Sequence, residues 1–352
     1  MNEEDKKFKF DVVIGNPPYQ EEMEGTSAKQ IFPFFMDEAY KIGEKVELIT
    51  PAKWLSNAGK TPKKWNEKML NDKHLKVIFF EQDGSKVFRN TEITGGVCVT
   101  YRDKQKNLGP IGTFTPYEEL NSILKKVTHK EFKSFSSLIY APESYKLTAK
   151  LHDDFPNVES KLSKGHKFDV TTNIFDKLGN IFHQEKPNDG KSYIGMYGRQ
   201  NNIRTLKWIN SEYIKGPDNF KNYKILVPKS NGSGAIGEVS VTPLIGEPLI
   251  GKPLIGGTQT FITIGNFLTI AEAESAMKYI KTKFSRAMLG TLKVTQDNKK
   301  RTWKNVPLQD FTINSDIDWT KSISEIDQQL YKKYNLSLDE IDFIETHVKE
   351  MN

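Results

Sequence analysis

The sequence predicts an α/β protein: a mostly parallel sheet with helices packed on its faces, followed by a second, mixed α+β part. Three observations predict it. Over the first hundred residues, short apolar runs alternate with stretches of helical periodicity in a β-α-β-α-β order. Near residue 110 that alternation stops, and Pro110, Pro116 and Pro142 punctuate the chain. Beyond it the sequence is rich in Gly, Asn and Lys, with only short strand-like runs.

Taken in order, Phe10–Gly15 (FDVVIG) is an apolar run ending in Gly, the pattern of a buried parallel strand. A polar loop over 20–28 follows, and then Ile31, Phe34, Phe35, Ala39 and Ile42 recur at helical spacing. Val46–Thr50 reads as a second strand, stopped by Pro51. Lys60–Asn71 reads as a polar helix with Trp65, Met69 and Leu70 inward, and Leu75–Phe80 and Val97–Tyr101 as two more strands. One short helix, Tyr117–Val127, is predicted in the linker-like stretch. In the second part, Tyr223–Val227 and Thr260–Ile264 have strand composition. Ile270–Leu289 is predicted as one helix, with Ala273, Met277, Ile280 and Phe284 on its apolar face. The tail from Ser322 to Met351 reads as two helices split at Asn335, and Ser337 with Glu340 has the form of a capping box. The tetrapeptide PLIG occurs three times between Pro243 and Gly256. A proline in each copy argues against a regular strand and predicts an insertion in a surface loop.

Bulk properties bound the function. With 37% hydrophobic and 27% charged residues, the chain has a soluble globular balance and is long enough for two domains with a core each. No apolar run approaches the ~20 residues of a membrane span. The polar start, Met1–Lys9, does not read as a signal or transit peptide. A single cysteine, Cys98, excludes an internal disulfide and a multi-cysteine zinc site, which suits the cytoplasm. The six histidines lack metal-ligand spacing, so no metal is expected. The net charge of +6 permits a polyanionic partner.

The first strand runs directly into Asn16, Pro17, Pro18 and Tyr19. This places the tetrapeptide at the carboxyl end of a strand, where open α/β sheets bind ligands. One reading is a Pro-rich turn with a surface aromatic. The other is chemical. An exocyclic amine on a nucleobase is a poor nucleophile, because its lone pair is delocalised into the ring. The Asn16 side-chain carbonyl and the Pro17 backbone carbonyl can each accept one of its N–H bonds, drawing the nitrogen toward tetrahedral geometry. Proline fixes φ and so preorganises the carbonyl, and Tyr19 offers a flat face for an extruded base.

With these residues in view, positions 10–102 resemble the second half of the catalytic domain of gamma-class N6-adenine DNA methyltransferases, in particular those of type IIG restriction–modification enzymes. The resemblance rests on FDVVIGNPPYQ, on ITPAKWLSNAGK (Ile49–Lys60) and on VFRNTEITGGVCVTY (Val87–Tyr101). It implies a partial Rossmann-like methyltransferase sheet in residues 1–115, a linker over 116–145, and a mixed α+β target-recognition domain with a helical tail in 146–352. It implies transfer of a methyl group from S-adenosyl-L-methionine to a flipped-out base, with Asn16 to Tyr19 catalytic. It also implies that Phe88 closes on the other face of that base; without the resemblance, Phe88 reads as an ordinary core aromatic. Residues from about 145 onward resemble the recognition region, notably YKILVPKSNGSG, GTQTFITIG and AEAESAMKYIKTKFSRAML. Within it Arg199, Gln200, Asn202, Arg204, Lys224, Lys229, Lys299, Lys300 and Arg301 are candidates for contact with double-stranded DNA. Lys299–Arg301 have the character of phosphate contacts. A solvated basic surface is the alternative for each residue alone.

In the gamma order, the glycine-rich cofactor loop comes before the Asn-Pro-Pro-Tyr strand, and here fifteen residues precede it. Ile194–Gly198 and Gly232–Gly237 read as loops of the recognition region rather than substitutes. The expectation is that FDVVIG lies at a sheet edge with exposed apolar faces. A second chain or a longer N-terminal region would complete the sheet, and the chain alone would bind cofactor weakly and transfer little methyl. No Pro-Asp with a following Glu-x-Lys marks a nuclease. Two other classes remain open: a catalytically silent DNA-binding specificity module serving a partner chain, and a protein glutamine methyltransferase. The tetrapeptide alone does not separate adenine from cytosine.

Overall fold

Strands β1 (Phe10–Gly15), β2 (Gly43–Pro51), β3 (Leu75–Glu81) and β4 (Val97–Asp103) form one sheet in the order β1-β2-β4-β3. The computed structural model describes residues 9–21, 29–56, 60–89, 93, 96–128, 131–231, 236, 244–293 and 296–351. The chain divides into two compact units, residues 1–121 and 122–352; the division falls inside helix α3 (Glu118–Val127). The whole is mixed α/β, with several sheets.

The first sheet corrects the expectation of mostly parallel pairing. β1 and β2 are parallel, but β4 is antiparallel to both β2 and β3. The reason lies in the connections. Helices α1 (Phe32–Ile42) and α2 (Lys63–Leu70) carry the chain back between β1, β2 and β3, so these three strands run the same way. Between β3 and β4 the described residues form only a short turn, Gly84–Lys86, and β4 returns antiparallel into the gap between β2 and β3.

The placement of helices on both faces is also corrected. Phe32, Met36, Val46, Leu48, Trp54, Trp65, Met69, Leu75 and Cys98 pack into one core, which lies on one face of the sheet. On the other face, Phe10, Val12 and Ile14 are 49%, 53% and 74% exposed. Their register neighbours Lys45 and Glu47 point the same way. FDVVIG is therefore parallel as predicted but not buried. It is an edge strand with an open apolar face, and the edge expectation is the one the structure matches.

In the second unit, β5 (Ile139–Tyr140), β8 (Tyr223–Pro228), β9 (Leu249–Gly251) and β11 (Phe261–Phe267) form a sheet in the order β9-β8-β11-β5. A three-stranded sheet, β7-β6-β10, comprises β6 (Tyr193–Gln200), β7 (Ile203–Asn210) and β10 (Ile255–Gly257). Ile194–Gly198 is thus a strand and not a loop. Gly232–Gly237 lies almost wholly outside the described residues.

The PLIG segment is not a surface loop. Ile245 is fully buried, and the second and third copies supply β9 and β10. Pro248 precedes the first of these three-residue strands and Pro253 lies between the two, so neither interrupts a ladder. A Cβ on Gly256 would approach the Tyr145 ring to 2.6 Å, so the third copy needs its glycine for close packing.

The single helix predicted over 270–289 is two: α4 (Ile270–Lys281) and α5 (Lys283–Gly290). Thr282 breaks it with an extended ψ, and its hydroxyl caps α5 by accepting from the Ser285 N–H at 3.1 Å. The Asp327 carboxylate accepts from the Lys283 and Phe284 N–H groups at 2.9 and 2.8 Å, so a distant acid helps hold that start. In the tail, α6 (Ile323–Lys333) and α7 (Leu338–His347) are split as predicted. Asn335 sits at φ 49°, and the Ser337/Glu340 capping box is formed. Among the described residues no helix is long and apolar enough to cross a membrane.

Candidate active site

The carboxyl ends of β1, β2 and β3 and the amino end of β4 meet at one end of the first sheet. In the ladder Gly15 faces Leu48, and Pro51 and Glu81 both face Val97. Asn16 and Pro18 are exposed, while Pro17 and Tyr19 are half-buried. The Tyr19 carbonyl accepts from the Ile31 N–H at 3.1 Å, and Gln20–Glu21 pair with Lys29–Gln30. Residues 19–21 and 29–31 are thereby paired beside the start of α1.

Tyr19 and Phe88 come together, with ring centroids 6.4 Å apart at 70°, edge to face. Phe88 reaches this place through the turn after β3. Asp83 caps that turn by accepting from Ser85, and the Phe88 N–H bonds the Gly84 carbonyl at 2.9 Å. Gly96, at φ +80°, closes the same corner. A Cβ there would lie 2.3 Å from the Glu81 carbonyl oxygen, and the Gly96 carbonyl accepts from the Ala52 N–H at 2.9 Å. Only glycine fits both demands.

The Tyr19 hydroxyl is buried and makes no hydrogen bond among the described residues. Burial, and after it the neighbouring Cys98, push its pKa up to about 12. Cys98 lies beneath the site, fully buried, its Sγ 3.5 Å from Thr50 Oγ1. Burial raises its thiol to about 11, so it is a neutral, unreactive packing group. The sequence offered Cys98 only as a sign of compartment; its position at the start of β4, after two glycines, was the available clue.

Of the segment 49–60, residues 49–51 form the end of β2 and residues 52–56 follow it directly. Its Trp54 is buried against Trp65 in the core, with centroids 5.5 Å apart. The described residues of this unit do not fit S-adenosyl-L-methionine. The turn after β1 is taken by the tetrapeptide, and β2 ends in Pro51 and is followed by Ala52, Lys53 and Trp54 in place of a glycine-rich backbone cradle. A groove of about 320 Å³ lies near the opposite end of the sheet, where Asp72 and Arg102 line it. It is lined by ions that already pair, Lys68 with Asp37 at 2.6 Å and Arg102 with Asp72 at 2.8 Å.

In the second unit the candidate DNA residues separate into two groups and one exception. Arg199, Gln200, Asn202 and Arg204 flank the tip of the β6–β7 hairpin. Arg204 is already engaged: its Nη2 donates to the Glu247 carbonyl at 2.7 Å, and its guanidinium lies 5.5 Å from the Phe261 ring centroid. The second group joins Lys229 to Lys299, Lys300 and Arg301. The Asn298 N–H bonds the Lys229 carbonyl at 2.7 Å, and Ser230 bridges Asp297. Lys299 pairs with Asp297 at 2.7 Å, and Lys299, Lys300 and Arg301 are all exposed. The exception is Lys224. It is fully buried, and its Nζ donates to the carbonyls of Phe220, Lys252 and Ile255 at 3.2, 3.1 and 2.9 Å. It crosslinks loops from within and does not face a nucleic acid.

Comparison with solved structures aligns 96% of the chain with 53% of the type IIG restriction endonuclease BpuSI, at 9% identity and TM-score 0.33. It also aligns 96% of the chain with 56% of the type IIL restriction-modification enzyme MmeI in complex with DNA, at 9% identity and TM-score 0.36. An uncharacterized adenine-specific methylase of Mycoplasma pneumoniae is 38% identical over 96 residues, which are 26% of this chain and 23% of that protein. The chain thus covers less than a quarter of that relative's length. Residues 1–88, the segment holding the tetrapeptide and Phe88, match the family described as Eco57I restriction-modification methylase.

Proposed function

We propose that the chain is the base-binding part of a DNA adenine-N6 methyltransferase of a restriction–modification system, with S-adenosyl-L-methionine as the methyl donor. The observation that carries the reading is the Asn16–Tyr19 loop, at the carboxyl end of β1 with the Phe88 ring against Tyr19, inside the segment that matches the methylase family. The Asn16 amide oxygen and the Pro17 carbonyl accept the two N–H bonds of the target amine and so free its lone pair. No strong base is required, since the amine sheds a proton after transfer. Tyr19 stacks on one face of the flipped base. Its hydroxyl stays protonated, and the ring's apolar face is what it contributes. Because Tyr19 and Phe88 meet edge to face at 70°, one ring must turn before a base lies between them. Two stacking distances amount to roughly 7 Å.

The open apolar edge of β1 and the poor fit of the described residues to the donor favour a second element of the same reading. A further polypeptide segment completes the sheet and holds the cofactor. By itself the chain then acts as a DNA-binding specificity module. The test incubates the full chain with methyl-labelled S-adenosyl-L-methionine and duplex DNA. It is run alone and with a polypeptide carrying a glycine-rich cofactor loop. Label is expected in adenine only in the mixture, and Asn16→Ala is expected to abolish it while DNA binding persists. Label in glutamine of a protein, or an Asn16→Ala mixture as active as the parent, would overturn the reading. Micromolar cofactor binding by the chain alone would overturn the second element.

A further inference from the structure

The β6–β7 hairpin breaks several local rules of stability at its tip, and these breaks leave Arg199, Asn202 and the apolar Ile203 exposed. β6 is a central strand only as far as Tyr197, where the ladder with β10 ends at Gly257. From Gly198 to Thr205 the described chain is a two-stranded ribbon paired only with itself. Its turn residues, Asn201 and Asn202, have φ of 51° and 62°, a two-residue turn with both centres left-handed. Asn-Gly is the favoured pair for such a turn, so a second asparagine retains an amide where glycine would be more stable. Arg199 lies directly opposite Arg204 in the register, a like-charge pair that opposes folding. Arg204 is held by the Glu247 carbonyl and the Phe261 ring, whereas Arg199 has no carboxylate partner among the described residues. Next to them Ile203 is 68% exposed.

The same edge of the unit continues into the basic group. Phe261, under Arg204, faces Pro228 across the ladder, and the Lys229 N–H bonds the Thr260 carbonyl at 2.9 Å. A major groove admits a two-stranded ribbon, and the side chains that read purines there are Arg, Asn and Gln, with apolar groups meeting thymine methyls. Local choices that cost stability at an exposed tip mark a functional element.

We propose that the tip Arg199–Ile203 enters a groove of duplex DNA and reads base edges through Arg199, Gln200 and Asn202, while Lys229 and Lys299–Arg301 hold phosphates. Arg204 is a positioning residue that fixes the ribbon's angle. This assignment rests on the DNA reading above and deepens it by separating readout from anchoring.

The test selects bound duplexes from a randomised pool with the full chain, then measures salt dependence on the selected sequence. The Q200A/N202A variant is expected to lose roughly tenfold or more in discrimination at the tip's base pairs, with an unchanged salt slope. Asn202→Gly is the control for folding, since it keeps and favours the turn; it is expected to lose readout at one position without loss of melting temperature. K299A/K300A/R301A is expected to keep the selected motif and reduce the slope by about 2 to 3. Arg204→Ala is expected to broaden the motif, and Arg204→Lys to restore it only in part. Tip variants that select the parent's motif would overturn the assignment, as would a parent that binds duplex without preference. A parent that binds no duplex at all would overturn the DNA reading itself, and the assignment with it.

Discussion

The Tyr19 hydroxyl is buried without a hydrogen-bond partner among the described residues, which separates what its ring does from what its oxygen does. An unsatisfied buried hydroxyl costs about 1–3 kcal/mol, so Tyr19→Phe is expected to keep or raise the melting temperature. It keeps the stacking face, and methyl transfer by the completed system is expected to stay within a few-fold. Tyr19→Ala removes the face, and a loss of tenfold or more is expected in single-turnover assays. Equal losses in the two variants would show that the oxygen is used. Lys224 poses the converse case, a charge buried with partners. Three carbonyls accept from its Nζ, yet burial lowers its pKa to about 7. The unfolded chain therefore binds more protons than the folded one between that value and the ordinary 10.5. The folded state carries the full cost of charging below about 7, and stability from this group rises with pH across that window. Lys224→Met is expected to flatten this rise in denaturant titrations at pH 7 and 9. Because it leaves three carbonyls unpaired, it is also expected to destabilise by about 2 kcal/mol or more.

At the scale of elements, stability comes from caps as well as packing. Ser337 accepts from the Glu340 N–H while Glu340 accepts from the Ser337 N–H, and Glu340 also takes Lys126 at 2.7 Å. Ser337→Ala is expected to cost about 1 kcal/mol in thermal or denaturant unfolding; no change would mean that the box is not needed to hold α7. That box was legible in the sequence because its signal lies within four residues, and the tetrapeptide was legible for the same reason. Strand β1 was legible in type but not in burial, since burial depends on what lies across the sheet. The antiparallel insertion of β4 was not legible, because its β-rich composition is the same in either direction. Nor was the break at Thr282, where two of the three side-chain capping bonds come from Asp327, far along the chain. The PLIG strands were not legible because proline in a sequence reads as a strand breaker, whereas the strands beside these prolines are only three residues long. By composition alone Lys224 does not differ from the surface cations around it. Only the three-dimensional closure of Phe220, Lys252 and Ile255 around it shows its role.

At the scale of the molecule, the open face of β1 is the feature whose energy is unspent. Phe10, Val12 and Ile14 alternate on one face and are half-exposed or more. Covering such side chains contributes up to roughly 1.5–3 kcal/mol each, and the strand's outer edge offers backbone N–H and C=O groups for a further strand. If a second polypeptide segment completes this sheet, the face matters to the complex and not to the chain alone. Val12→Lys places a charge where Val12 is already 53% exposed, so the melting temperature of the isolated chain is expected to stay within a degree or two. In the mixture with the cofactor-bearing polypeptide, the same charge would be desolvated against an apolar surface. Association measured by analytical ultracentrifugation is expected to weaken at least tenfold, and methyl transfer to fall with it. Lys45→Met, at the register position facing Val12, is the converse variant: it removes a charge from the same face and is expected to tighten association. Should Val12→Lys leave association and transfer untouched, the completing segment does not dock on β1. The Asn16 loop would then have to work with the sheet edge bare.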